Sequence, residues 1–142
     1  VTDSDGKPLH GGCRYTIMGR DPIGGLPSRS SRQPARLRPS GYGAATSSRS
    51  ASEGWWSITA YGADDFLIPN KYQRYSVSKT SVVRGADGRF TVTASKDASA
   101  ANQIATGDGA FSLTLRLYNP DPSVADDPAH VALPEIRRSG CP

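Results

Sequence analysis

Glycine and proline interrupt this chain so often that no stretch keeps an apolar period long enough for a helix of ordinary length. The 142 residues contain 15 glycines and 11 prolines. Helices need many consecutive compatible residues to offset their costly nucleus, whereas short strands tolerate frequent turns. Where a period does survive, it is two. Phe111, Leu113, Leu115 and Leu117 alternate with Ser112, Thr114, Arg116 and Tyr118, the pattern of a strand with one buried face. Trp55, Ser57, Thr59 and Tyr61 likewise alternate with Trp56, Ile58 and Ala60, so the adjacent tryptophans point to opposite faces. Arg14–Met18, Arg74–Val77 and Phe90–Ala94 read as further strands. Ala86-Asp87-Gly88-Arg89 carries the Asp-Gly hairpin signal. Ala98–Ala105 is alanine-rich and is expected to form a helical turn. The proline-rich tail, residues 119–142, is expected to be extended coil. Six or seven short strands with turn-rich links make an all-β, antiparallel sandwich or barrel. By length this is a single domain, 1–142.

Residues 20–52 stand apart. Four prolines (Pro22, Pro27, Pro34 and Pro39) and sparse apolar residues exclude a regular element there, so the segment is expected to be an insertion or flexible arm. It also locates the charge. Residues 20–53 hold six arginines against Asp21 and Glu53, which equals the whole chain's net charge of +4. The rest of the chain is neutral. The arginines form no dense block and have no interleaved aromatics, so specific nucleic-acid recognition is not expected. A solvated insertion and an arm wrapping a neighbouring subunit both suit the segment. No run approaches the ~20 apolar residues of a membrane helix, and the polar opening residues do not read as a signal peptide.

Cys13 and Cys141 lie near opposite ends. Domain ends often approach in space, so a disulfide closing most of the chain is expected, with two separate thiols as the alternative. A bridge points to an oxidising, secreted or periplasmic setting. No Cys/His spacing suggests zinc, no metal or cofactor is expected, and Asp64-Asp65, Asp126-Asp127 and Asp108 lack EF-hand spacing. Adjacent aspartates in turns ordinarily cap the turn rather than act across a cleft. A hydrolase is the weakest functional alternative. The histidines, His10 and His130, both lie in coil, and no G-x-S-x-G occurs.

Several segments taken in order resemble a known pattern. They are Trp56–Tyr61, Phe66-Leu67-Ile68-Pro69-Asn70, Arg74–Val77, Ala86–Val92, Phe111–Pro120 and Leu133–Arg138, preceded by Thr2–Leu9 and Arg14–Ile17. Together they resemble the family called domain of unknown function 1214, often preceded by a second domain. The resemblance implies a jelly-roll-like antiparallel β-sandwich without a settled activity, and it makes Trp56 the core tryptophan. Two departures from the family pattern stand out. A long Arg/Ser-rich interval separates the first strand from the Trp strand, and Asn102-Gln103-Ile104-Ala105 replaces an Asn-Trp-Leu-Pro stretch.

The functional expectation is a non-catalytic interaction module that forms a homo-oligomer or meets a protein partner. The alternative is a carbohydrate- or small-ligand-binding sandwich, with Trp55, Tyr61 and Tyr75 as its aromatic surface.

Overall fold

The computed structural model describes residues 2–19, 54–120, 122–127 and 133–141. The 20–52 segment and His130 lie outside these. Among the described residues seven strands form two sheets: β1 (Arg14–Gly19), β2 (Trp55–Gly62), β3 (Ser76–Ser78), β4 (Phe90–Ser95), β5 (Gln103–Ala105), β6 (Phe111–Tyr118) and β7 (Glu135–Gly140). One short helix, α1 (Pro122–Asp126), precedes β7. The larger sheet runs β5-β4-β1-β7 and the smaller β3-β2-β6.

The inward residues of both sheets form one apolar cluster, which makes the architecture sandwich-like. Trp56 is fully buried and stacks on Phe90 of the opposite sheet, with ring centroids 4.9 Å apart and planes 26° apart. Tyr15 meets Phe111 edge-on across the same gap, at 5.5 Å and 71°. Both geometries suit the aromatic quadrupole. The Tyr15 hydroxyl, carried inward, accepts the His10 N–H at 2.8 Å and so is not left unsatisfied.

Three expectations need correction. The pairing is not wholly antiparallel, because β5 runs parallel to β4, with Ala94 opposite Ile104. Residues 98–105 are not a helical turn: Ala98 is fully buried and Gln103–Ala105 form β5. The reason lies at Asn102, which adopts φ 54°. Its amide donates to the carbonyls of Val83 and Thr91 (2.7 and 3.1 Å) and accepts the Val83 N–H (2.7 Å). An asparagine tolerates this left-handed conformation, and here it turns the chain back alongside β4. The tail is not coil throughout. It contains α1 and then β7, which pairs with β1 over Arg14–Met18. Only Ile136 of β7 packs against the core, so its strand character comes from the neighbouring ladder.

Two contacts close the chain near its ends. Cys13 and Cys141 are disulfide-bonded across a sequence separation of 128 residues, just beyond the paired Arg14 and Gly140. Asp3 is buried and organises the first turn: its Oδ1 accepts the N–H groups of Asp5 (3.1 Å) and Lys7 (2.9 Å). Its Oδ2 lies 3.1 Å from Arg138 Nε, an ion pair outside good hydrogen-bond alignment. Arg138 also sits over the Tyr15 ring, 5.6 Å from its centroid, and donates to the Pro8 carbonyl at 3.3 Å. The Lys7 N–H above all holds the Asp3 carboxyl below its ordinary 3.8; burial opposes this, and the Asp5 N–H and Arg138 reinforce it.

Two outcomes are expected. Replacing both cysteines by serine should remove about 5 kcal/mol in the chain-entropy account of a ring this long, read as a lowered urea midpoint that reductant no longer changes. Because the folded-state pKa of Asp3 is depressed, its contribution is present above pH 3.8 and is lost as pH falls through the lower folded value. Asp3→Asn should therefore show a smaller drop in urea midpoint between pH 7 and pH 3 than the wild type.

Candidate functional site

With Trp56, Ile58 and Ala60 turned into the core, strand alternation sends Trp55, Ser57, Thr59 and Tyr61 to the outer face of the smaller sheet. The β2–β6 register then builds four rows there: Trp55 with Tyr118, Ser57 with Arg116, Thr59 with Thr114, and Tyr61 with Ser112. On the other side of β2, Ser78 and Ser76 extend the second and third rows. The outward-facing side chains include many hydroxyls, of which Ser57, Thr59 and Ser78 are buried, with aromatics at both ends and one guanidinium.

Arg116 bridges the rows. Its Nη2 donates to the Tyr61 hydroxyl at 2.6 Å, and the guanidinium lies over the Tyr61 ring, 5.2 Å from its centroid. Arg116 is registered opposite Ser57, four residues from Tyr61, so the two side chains lean toward each other across Thr59 and Thr114. Along this arch Thr59 is 6% exposed and Ser57, opposite Arg116, is 5% exposed. At the other end Trp55 is half-buried and packs against Tyr118, with centroids 5.3 Å apart and a 59° tilt. Tyr118 stays 53% exposed. The start of the strand is anchored by Lys79, whose Nζ donates to the Gly54 carbonyl at 2.6 Å and whose backbone N–H donates to the Trp56 carbonyl at 3.0 Å.

Of the three aromatics expected to form one surface, the structure brings two to this face. Trp55 and Tyr61 share it but sit six residues apart, roughly 20 Å at the rise of a strand. Tyr75 is placed elsewhere. Its carbonyl accepts the Ala60 N–H at 3.2 Å, and it lies two residues before the buried Val77. The register therefore turns it to the core side of the sheet, and its ring is half-buried. Cys13 and Cys141 are in the other sheet's closure, away from this face.

Three of the other chemical candidates, His10, Asp64 and Asp108, have structural partners. His10 is exposed, and its Nδ1 accepts the Gly12 N–H at 3.2 Å rather than a serine hydroxyl. Asp64 accepts the Phe66 N–H at 3.2 Å in a local turn, and Asp108 pairs with Lys96 at 2.8 Å. Among the described residues no three metal-ligating side chains cluster. Asn102, at the position where the resembled family carries a distinctive stretch, has its side chain engaged by backbone, as described above.

A second concave surface is not legible in the sequence. Arg84, Arg89 and Arg137 converge around an open cavity of about 940 Å³ on the larger sheet. Arg137 belongs to a tail without strand signals, so no spacing pattern links it to the other two.

A family model described as "Protein of unknown function (DUF1214)" matches residues 39–122. No curated protein matches the chain. Among solved structures the chain is similar to the VPA0106 protein from Vibrio parahaemolyticus, with 20% sequence identity and a TM-score of 0.69. The match covers 98% of this chain and 29% of that one, and at this identity it concerns the fold. The chain therefore spans less than a third of that protein's length.

The Tyr61–Arg116 hydrogen bond generates a direct test. Tyr61→Phe keeps the ring under the guanidinium and deletes only the acceptor, and should lower stability by about 1 kcal/mol in urea unfolding. Tyr61→Ala, which also removes the ring, should cost more.

Proposed function

The chain belongs to the DUF1214 family, and from that premise we propose that it is a non-catalytic interaction module that pairs with a second copy of itself through the edge of the smaller sheet. One observation carries this reading. β6 is eight residues long and, among the described residues, β2 is its only partner strand; on its other side the Leu9–Gly11 segment meets only its start, through the Phe111 N–H to the Leu9 carbonyl and the His10–Ala110 bridge. A long edge strand presents backbone N–H and C=O groups on its second side, and those groups invite strand addition. Two β6 strands meeting antiparallel about a two-fold axis give an isologous contact. In a register centred on Leu115, leucines fall beside leucines on the inner face, and Arg116 falls beside Thr114 rather than beside its own copy. The two outer faces then become one continuous surface of a jelly-roll-like sandwich dimer. The disulfide favours an oxidising, extracytoplasmic setting for it, and no helix among the described residues is long and apolar enough to cross a membrane.

A second reading is supported by the outer face itself. The Trp55–Tyr118 pair and the Arg116–Tyr61 arch supply ring faces and hydrogen-bonding groups of the kind that carbohydrates use. The first reading works through the edge of β6 and the second through the outer face beside it, so the two are tested separately.

Light scattering of the full chain should return twice the monomer mass at tens of micromolar. Thr114→Arg, which sets a second guanidinium against Arg116 of the opposing copy, should return the monomer mass. A wild-type monomer at every concentration sinks the pairing. Glycan-array binding lost in Trp55→Ala would then favour the carbohydrate reading.

A further inference from the structure

The outward rows of the smaller sheet hold aromatics, hydroxyls and one charge, that of Arg116. An arginine on a strand ordinarily meets a carboxylate or extends its head into water. Arg116 does neither. It is half-buried and folded back along the sheet, and among the described residues it makes no ion pair. Its partners are the Tyr61 hydroxyl, 2.6 Å from Nη2, and the Tyr61 ring.

We propose that this face binds an acidic oligosaccharide, with Arg116 receiving the carboxylate of a uronic acid and the Trp55–Tyr118 pair stacking on another sugar of the same chain. The proposal rests on the second reading above, in which the face takes carbohydrate, and adds the charge of the ligand. Electrostatics supplies the first argument. A guanidinium partly withdrawn from water loses hydration that a neutral hydroxyl and a ring face replace only in part. The outward rows contain no carboxylate to make up the difference. Arg116 carries five N–H donors and gives one to Tyr61. None of its nitrogens is buried without a partner, so the others stay within reach of solvent. A carboxylate matches two of them in the planar fork. One cation suits one carboxylate, whereas a nucleic acid with a phosphate at every unit needs several.

Shape supplies the second argument. Trp55 is half-buried and Tyr118 is 53% exposed, so the ring pair leaves surface for stacking at one end of the face. It lies one row from Arg116, about 7 Å at the rise of a strand, and the guanidinium is drawn further off toward Tyr61. A single sugar is too short to meet both. A chain of sugars lying along β6 meets both and passes over Thr114, which is half-buried, while Ser57 and Thr59 of β2 are too buried to take part.

The third argument is preorganisation. The Tyr61 hydroxyl and ring hold the guanidinium in place over the sheet, so less freedom is lost when the carboxylate arrives.

Isothermal titration of the full chain with the pentamers of galacturonate and mannuronate tests the assignment. Their methyl esters, cellopentaose, the galacturonate monomer and a thymidine pentanucleotide serve as controls. At least one uronate pentamer should bind, more weakly as salt rises, with every control at least about tenfold weaker. Arg116→Gln should weaken that pentamer by about tenfold, or about 1.4 kcal/mol, and bring it level with its ester. Lys71→Gln, in the loop before β3, should leave it unchanged. Circular dichroism melts establish that the variants fold. If Arg116→Gln does not, Arg116→Lys, which keeps the charge without the fork, should still weaken the pentamer severalfold. Esters or cellopentaose bound as tightly as the uronates would overturn the acidic assignment and leave the carbohydrate reading standing. Binding of no sugar would overturn both. Arg116 variants that bind like the wild type, a monomer as tight as the pentamer, or equal binding of the nucleotide would each overturn the proposal.

Discussion

The stack of Trp56 on Phe90 is the contact on which the rest of this structure depends. It joins the central strand of the smaller sheet to β4 of the larger one, and Trp56 is fully buried in doing so. Large aromatic side chains at such positions typically contribute about 3–5 kcal/mol relative to alanine, a large share of the ~5–15 kcal/mol that holds a domain together. Its directional consequence matters as much. A strand has only two faces, so committing Trp56 inward commits Trp55, Ser57, Thr59 and Tyr61 outward. The outer surface with its Arg116 arch is thus a by-product of one buried indole.

The strands with internal alternation are legible from residues alone. β2 and β6 are readable because each carries a hydrophobic stripe on one face and hydroxyls on the other, and β1 and β4 because each alternates over several residues. The disulfide is legible from cysteine position. β5 and β7 are not. β7 reads Glu-Ile-Arg-Arg-Ser-Gly, and its one apolar residue cannot define a period; it is a strand because β1 offers it a ladder and Cys141 is held beside Cys13. β5 depends on Asn102, a single side chain that grips backbone from two distant segments. Alanine content favours a helix there, and tertiary context overrides it.

The candidate surfaces divide along the same line. Trp55 and Tyr61 share a face because both belong to one alternating strand, so sequence periodicity places them correctly relative to each other. Tyr75 escapes that reasoning because its face is set by pairing with Ala60 across strands, which no local pattern encodes. The arginine-lined cavity exists only at the tertiary level. Its three guanidiniums come from a loop, a hairpin and an edge strand, brought together by registers that depend on the whole sheet.

The covalent link between Cys13 and Cys141 also has a mechanical meaning. Tension that enters the chain before Cys13 and leaves after Cys141 passes through a single sulfur–sulfur bond, not through the polypeptide between them. Both sheets' ladders, the indole stack and the two outer surfaces are then shielded from load. What a pull can strip is the leading segment: the Asp3 turn with its Arg138 contact, the buried Leu9, and the bridge between His10 and Ala110. Under force the molecule behaves as a sprung latch in front of a rigid link, yielding at the latch while the sandwich keeps its shape.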